Sequence, residues 1–107
     1  MPEREEIYRV IVSKRASRQL VNQATFTAQL EERLAHQLVE DFQEAATSLS
    51  RFPYRNPVLR SDEFTTEKYR KMLFGKWYLL LYQIRGDAVY IEYVIDGRQD
   101  YQWLLEA

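Results

Sequence analysis

Hydrophobic and polar positions alternate with a period of two at the start of the chain. β-branched and aromatic residues fill the segment 7–13, and one side of it carries Tyr8, Val10 and Val12. This alternation is typical of a strand that packs on one face. Ser13 follows and can cap a helix. Apolar residues then recur at helical spacing; they are Leu20, Val21, Ala24 and Ala28.

A second, amphipathic helix is predicted over residues 30–49. Its apolar stripe consists of Leu30, Leu34, Leu38, Phe42, Ala45 or Ala46, and Leu49. Acidic and amide residues occupy the other faces, as on a helix packed on one side only. The two helices are expected to form a hairpin with its break near Gln29, although no glycine or proline marks that point.

Proline and glycine then end the helical part and separate three short segments. Phe52-Pro53 and Asn56-Pro57 predict a loop that runs to near Thr66. The segments are 69–74, 77–84 and 88–95, with turns at 75–76 and 85–87. The middle segment is apolar on both alternating faces, so it should lie centrally, with helices on one side and other residues covering part of the second side.

The expected fold class is therefore α+β, with a helical hairpin packed on a mainly antiparallel four-stranded sheet. The element order is β-α-α-β-β-β, followed by a short C-terminal tail or helix. The position of the first strand in the sheet is left open. The 107 residues are expected to form a single domain.

The composition excludes several kinds of chemistry. No cysteine is present, which removes disulfides, thiolate nucleophiles and cysteine-ligated zinc. The sequence contains no Gly-rich phosphate loop, paired metal carboxylates or nucleophile elbow, so neither a metal nor a small-molecule cofactor is expected. The longest apolar run, 77–82, is too short to span a bilayer, and the polar N-terminus has no apolar signal region. We expect a cytoplasmic protein without a membrane partner.

Charge is unevenly distributed although the formal net charge is −1. Residues 31–44 hold five acids against Arg33 alone. Residues 51–76 hold three acids against seven bases, which are Arg51, Arg55, Arg60, Lys68, Arg70, Lys71 and Lys76. Clustered cations bind phosphates with release of counterions, so an anionic partner is expected here. The alternatives are a solvated loop and a surface complementary to an acidic protein segment.

Three sequence motifs occur along the chain in the same order as these predicted elements. The first strand and helix start read Tyr8-x-Val10-x-Val12-Ser13-x-x-Ala16-x-x-x-Leu20, and the second helix ends in Ala45-x-x-x-Leu49-x-x-Phe52-Pro53. The most specific motif covers the last strands: Tyr69-Arg70-Lys71-x-Leu73-x-Gly75-x-x-Tyr78-x-x-x-Tyr82-x-Ile84-x-x-Asp87-x-Val89-Tyr90-Ile91, then Val94-Ile95-Asp96-Gly97-Arg98-Gln99-Asp100. In this combination the chain resembles the RelE/ParE superfamily of toxins from Tyr8 to Asp100.

The resemblance implies the toxin component of a bacterial type II toxin–antitoxin module, which inhibits growth and is silenced by a cognate antitoxin. RelE-like members enter the ribosomal decoding site and cut mRNA, whereas ParE-like members bind DNA gyrase and cut nothing themselves. A third alternative is a non-toxic binding domain with the same fold. An apolar groove beside the hairpin and an unpaired sheet edge would accept a helix and a strand from the antitoxin.

Departures from the nuclease pattern slightly favour a ParE-like gyrase inhibitor. Aligned through the two tyrosines of the third strand, Leu79 stands where the ribosome-dependent nucleases carry arginine, and Met72 where one kind carries lysine. RNA cleavage needs an acid, a base and cations for the phosphorane. The one histidine, His36, lies in the second helix, where a structural role is expected.

The remaining basic residues are the candidates for function. If the chain is RelE-like, the expected catalytic residues are Arg70, Arg98 and Tyr101. For either target, the expected target-binding residues are Lys68, Arg70, Lys71, Lys76 and Arg98. The alternative is packing: Arg70 could pair with Glu92 or Asp100. Tyr101 and Trp103 could likewise cover the exposed sheet face, and packing is the favoured interpretation for Trp103 and Leu104.

Overall fold

The computed structural model describes residues 7–59 and 69–98. Its elements follow the expected order and are β1 (Arg9–Val12), α1 (Lys14–Leu30), α2 (Glu32–Leu49), β2 (Arg70–Phe74), β3 (Tyr78–Arg85) and β4 (Ala88–Asp96). The predicted tail at 99–105 lies outside the described residues. In the part that is described, no helix has the length and apolar character needed to cross a membrane.

The predicted cap starts α1. The Ser13 hydroxyl accepts a hydrogen bond from Ala16 N at 3.0 Å, which satisfies one of the free N–H groups of the first turn. The helix pair turns at a single extended residue, Glu31, with φ −161° and ψ 121°. The break therefore lies two residues beyond Gln29. Because one extended residue is enough to redirect the chain, neither glycine nor proline is needed there.

The buried stripes of the helices are shorter than predicted. Leu30 is the last residue of α1 and is 72% exposed, and Leu34 lines an open groove and is 43% exposed. The buried stripe of α2 therefore begins at Leu38. On α1, Leu20 and Ala24 pack against the core, whereas Val21 and Ala28 face solvent.

The sheet has the strand order β1-β4-β3-β2 and is mainly antiparallel, as predicted. β2, β3 and β4 form the expected antiparallel meander, and β3 is an internal strand. β1 joins the far edge of β4 in parallel, with Arg9 opposite Ala88 and Val12 opposite Ile91. Beyond the end of β1, the Gln19 side chain of α1 accepts from Val94 N at 2.8 Å, so the helix satisfies the edge that the short strand leaves open.

Both faces of the sheet are covered. The helix-facing core contains Phe42 and Leu49 of α2 together with Leu80, Tyr82 and Ile91 of the sheet. A second cluster lies on the opposite face and consists of Leu81, Tyr93 and Ile95, packed against Leu59, Tyr69 and Leu79. The loop that contributes Leu59 thus supplies part of the cover predicted for the second side of β3.

Candidate functional site

The strand register divides the expected basic residues between two ends of the sheet. Arg70 pairs with Tyr82, whereas Asp96, two residues before Arg98, pairs with Tyr78. Tyr82 lies four positions after Tyr78 in β3, which corresponds to roughly 13 Å along the strand. The structure therefore does not bring Arg70 and Arg98 together into one phosphate clamp.

The other expected residues follow the same division. Lys71 lies next to Arg70 in β2 but on the opposite face, because side chains alternate along a strand. Lys76 lies in the exposed turn between β2 and β3, at the Arg98 end. Four further residues lie outside the described part of the chain: Lys68, Tyr101, Trp103 and Leu104.

Arg70 holds the loop that follows α2. Its Nη1 donates to the Asn56 backbone oxygen at 2.7 Å, and its guanidinium carbon lies 5.1 Å from the centre of the Tyr54 ring. The pairing of Arg70 with Glu92, one of the predicted alternatives, is not formed: Arg70 donates to loop backbone oxygens, and the Glu92 carboxylate accepts a hydrogen bond from Gln83 Nε2. Asp100, the other predicted partner, lies outside the described residues.

Tyr82 ties the same loop to the middle of the sheet. Its side chain is fully buried; the hydroxyl donates to the Pro53 oxygen at 2.6 Å and accepts from Asn56 Nδ2 at 3.2 Å. Burial raises the pKa of this phenol, so the hydroxyl keeps its proton and remains a donor at neutral pH. In the sequence Tyr82 is recognisable only as an apolar strand residue, and the contact of its hydroxyl with the loop becomes visible only in the folded structure.

The loop crosses the helix-facing side of the sheet from one edge to the other. At its start, Tyr8 N donates to the Ser50 oxygen at 2.7 Å, beside β1. At its end, Lys71 N donates to the Pro57 oxygen at 3.0 Å, at the edge of β2. Hydrogen bonds thus fix both ends of residues 50–57 as well as the middle.

The opposite end of the sheet carries a second arginine site. The Arg98 guanidinium contacts both carboxylate oxygens of Asp96, at 3.0 and 2.6 Å, and lies 4.1 Å from the centre of the Trp77 ring. Asp96 is buried, and the hydrogen bond from Arg98 lowers the pKa of its carboxyl group. Between them, the Gly97 backbone lies close to Trp77: Gly97 N donates to the Trp77 oxygen at 2.7 Å, and a Cβ on residue 97 would lie 2.6 Å from that oxygen.

Met72 and Leu79 point to opposite faces of the sheet. Met72 packs on the helix side, where its sulfur lies 3.8 Å from Ser48 Oγ. Leu79 belongs to the cluster on the other face. His36 is exposed on α2 rather than packed in the core.

An apolar groove of 710 Å³ lies between α2 and the turn that joins β2 to β3. Leu38, Met72 and Trp77 contribute to its apolar lining. The adjacent edge of β2 is partly covered by the loop. Leu59 N donates to the Tyr69 oxygen, and Lys71 N donates to the Pro57 oxygen. Backbone N–H and C=O groups along an edge strand point alternately to the neighbouring strand and away from it. The groups of Leu73, two residues after Lys71, therefore also point away from β3, and among the described residues they have no partner on that side.

These features define a small α+β domain with a helical hairpin on one side of a mixed sheet, an apolar groove and two arginine sites. The model of the family "ParE toxin of type II toxin-antitoxin system, parDE" matches residues 10–101. The chain belongs to this ParE toxin family, so it is the toxin component of a type II toxin–antitoxin module, as its resemblance to the RelE/ParE superfamily predicts.

A solved structure supports the fold independently. The chain is similar to a chain from "Chromosomal ParDE TA system from P. aeruginosa", with a TM-score of 0.69 and 15% sequence identity. The match covers 85% of this chain and 97% of that chain. At this identity the likeness concerns the fold alone. No curated protein matches the sequence.

Proposed function

We propose that this toxin arrests growth by inhibiting DNA gyrase in the cytoplasm and does not itself cleave RNA. The observation that carries the proposal is that the two described arginines expected to be catalytic, Arg70 and Arg98, do not converge. Arg70 and Arg98 lie at different ends and are each engaged by neighbouring groups. Loss of even one preorganised donor typically slows catalysis by about a hundredfold, so a nuclease built on these residues would be severely impaired.

The proposed contacts with the target remain the basic residues named from the sequence: Lys68, Arg70, Lys71, Lys76 and Arg98. Of those that are described, Lys71 and Lys76 have no ion-pair partner within residues 7–59 and 69–98. Their ammonium groups are therefore available to an acidic surface without the loss of an existing contact. The functional unit proposed for these contacts is the single domain 1–107.

A cognate antitoxin is the partner that the family implies, and the groove is its proposed binding site. The groove would accept the apolar face of an amphipathic helix, and the outward backbone of Leu73 would pair with an added strand. Leu73 itself is 60% exposed, so an antitoxin side chain could cover it at the same time.

Brief induction of the chain in a bacterial host tests the choice of target. Growth arrest should be accompanied by DNA breaks and a DNA-damage response, while messages stay whole. Co-expression of the neighbouring antitoxin gene is the control, and it should restore growth and yield a stable complex. Cleavage of messages in the reading frame before any DNA damage would contradict the proposal and would make Arg70, Arg98 and Tyr101 the residues to test as catalysts.

A further inference from the structure

The loop after α2 presents an exposed surface of alternating arginine and aromatic side chains. Its outward residues, here called the loop surface, are Arg51, Phe52, Tyr54 and Arg55. Phe52 and Tyr54 are 46% and 60% exposed, which is unusual for large aromatic groups. Arginine and aromatic residues are the side chains most enriched where proteins bind one another.

The loop surface is fixed in position before any partner arrives. Pro53, between the two aromatic residues, is fully buried, and its oxygen accepts from the Tyr82 hydroxyl. Arg70 also holds the loop in place, since its guanidinium donates to the Asn56 oxygen. The Arg55 guanidinium lies 4.2 Å from the centre of the Phe52 ring, so the cation is also oriented. A fixed surface loses little conformational entropy on binding.

Among the residues that the structure describes, positive charge dominates this end of the sheet. Among the described residues, the bases at the loop end of the sheet are Arg9, Arg51, Arg55, Arg70 and Arg85, and the acids there are Asp87, which pairs with Arg9, and Glu92, which accepts a hydrogen bond from Gln83. The charge complementary to this surface is negative. None of the four residues of the loop surface lines the apolar groove, so the two surfaces are separate.

We propose that the loop surface is a further contact site of the toxin, at which it meets an acidic patch on its protein target. This inference rests on the proposed function in one respect, namely that the target is a protein. Arg55 and Phe52 form the centre of the contact, with Tyr54 beside them.

The surrounding charge favours a protein over a nucleic acid. Glu40 and Glu44 lie on α2 within about 14 Å of the end of the helix, where the loop begins. These acids would repel a polyanion that extended from the loop along α2, whereas a confined acidic patch on a folded protein need not reach them. The formal net charge of −1 likewise gives no long-range attraction for a polyanion.

The test uses the full chain and two variants of the loop surface, Arg55→Glu and Phe52→Ala. Arg18→Glu is the matched control, because Arg18 is exposed on α1 and away from the loop. Three measurements are made: growth inhibition in a bacterial host, inhibition of supercoiling by purified DNA gyrase, and the mobility shift of a labelled oligonucleotide. Thermal unfolding confirms that all variants fold.

In the expected result both loop variants lose toxicity and inhibit gyrase at least about tenfold less well, while Arg18→Glu matches the wild type. Variants that fold and remain fully toxic would overturn the inference without touching the gyrase proposal. If the loop variants lose toxicity but the wild-type chain never inhibits gyrase, the loop surface stands and the gyrase proposal fails. Oligonucleotide binding by the wild type that Arg55→Glu abolishes would overturn the assignment of a protein partner.

Discussion

Replacement of Tyr82 by phenylalanine tests how the loop is held. The change removes one hydroxyl, which donates to the Pro53 oxygen and accepts from the Asn56 amide, both in a buried setting. A neutral hydrogen bond contributes about 1 kcal/mol net to stability, and a buried polar group that loses its hydrogen-bond partner costs more. We therefore expect the free energy of unfolding to fall by about 2 kcal/mol.

The size of this effect is measurable in a domain of this length. A loss of 2 kcal/mol should lower the melting temperature by roughly 8–16 °C. Tyr90→Phe is the matched control, since the Tyr90 hydroxyl has no hydrogen-bond partner within the described ranges and the same atom is removed. Urea unfolding gives the free energies, and circular dichroism gives the melting temperatures.

The Tyr82 variant also connects stability with function. A released loop would present its arginine and aromatic residues less rigidly, so toxicity should fall at a temperature where the variant is still folded. Equal melting temperatures for Tyr82→Phe and Tyr90→Phe would refute the reasoning, because the hydroxyl would then hold nothing. If stability falls but toxicity is unchanged, the Tyr82 hydroxyl stabilises the loop, but the rigidity of the loop is not needed for target binding.

Two further predictions concern the Arg98 end. Arg98→Ala should raise the pKa of Asp96, because the wild-type hydrogen bond lowers it. The stability that the Arg98–Asp96 contact adds is fully present above the unfolded-state pKa of about 3.9 and is lost as the pH falls through the lower folded-state pKa. The free energies of unfolding of the wild type and the variant should therefore converge in acid, and a difference that stays constant with pH would contradict this. Gly97→Ala places a Cβ 2.6 Å from the Trp77 oxygen and should cost about 1–3 kcal/mol in urea unfolding, whereas an unchanged midpoint would show that the turn adapts freely.

Local signals in the sequence predict most of the fold. Ser13, the prolines after α2 and the glycine turns act within a few residues of where they stand, so their effects can be read directly. The helix break could not be placed as well, because Glu31 redirects the chain through an ordinary extended conformation. The parallel pairing of β1 with β4 joins residues about 80 positions apart, and no local pattern specifies it.

The candidate site was harder to predict than the fold. Arg70 and Arg98 stand out in the sequence as basic residues of a family motif, but their separation depends on the register of three strands. The partner of Arg70 is a backbone oxygen, which any residue at position 56 would supply. Tyr82 reads as a core residue, and its hydroxyl gains a role only where the loop passes over it.

Whether this toxin acts on gyrase and not on RNA is tested most directly with purified components. The purified chain is titrated into DNA gyrase with relaxed plasmid and, in parallel, into ribosomes translating a labelled message. We predict a dose-dependent loss of supercoiling, with the message intact at the same concentrations. Unaffected supercoiling together with cleavage of the message at the ribosome would contradict the account.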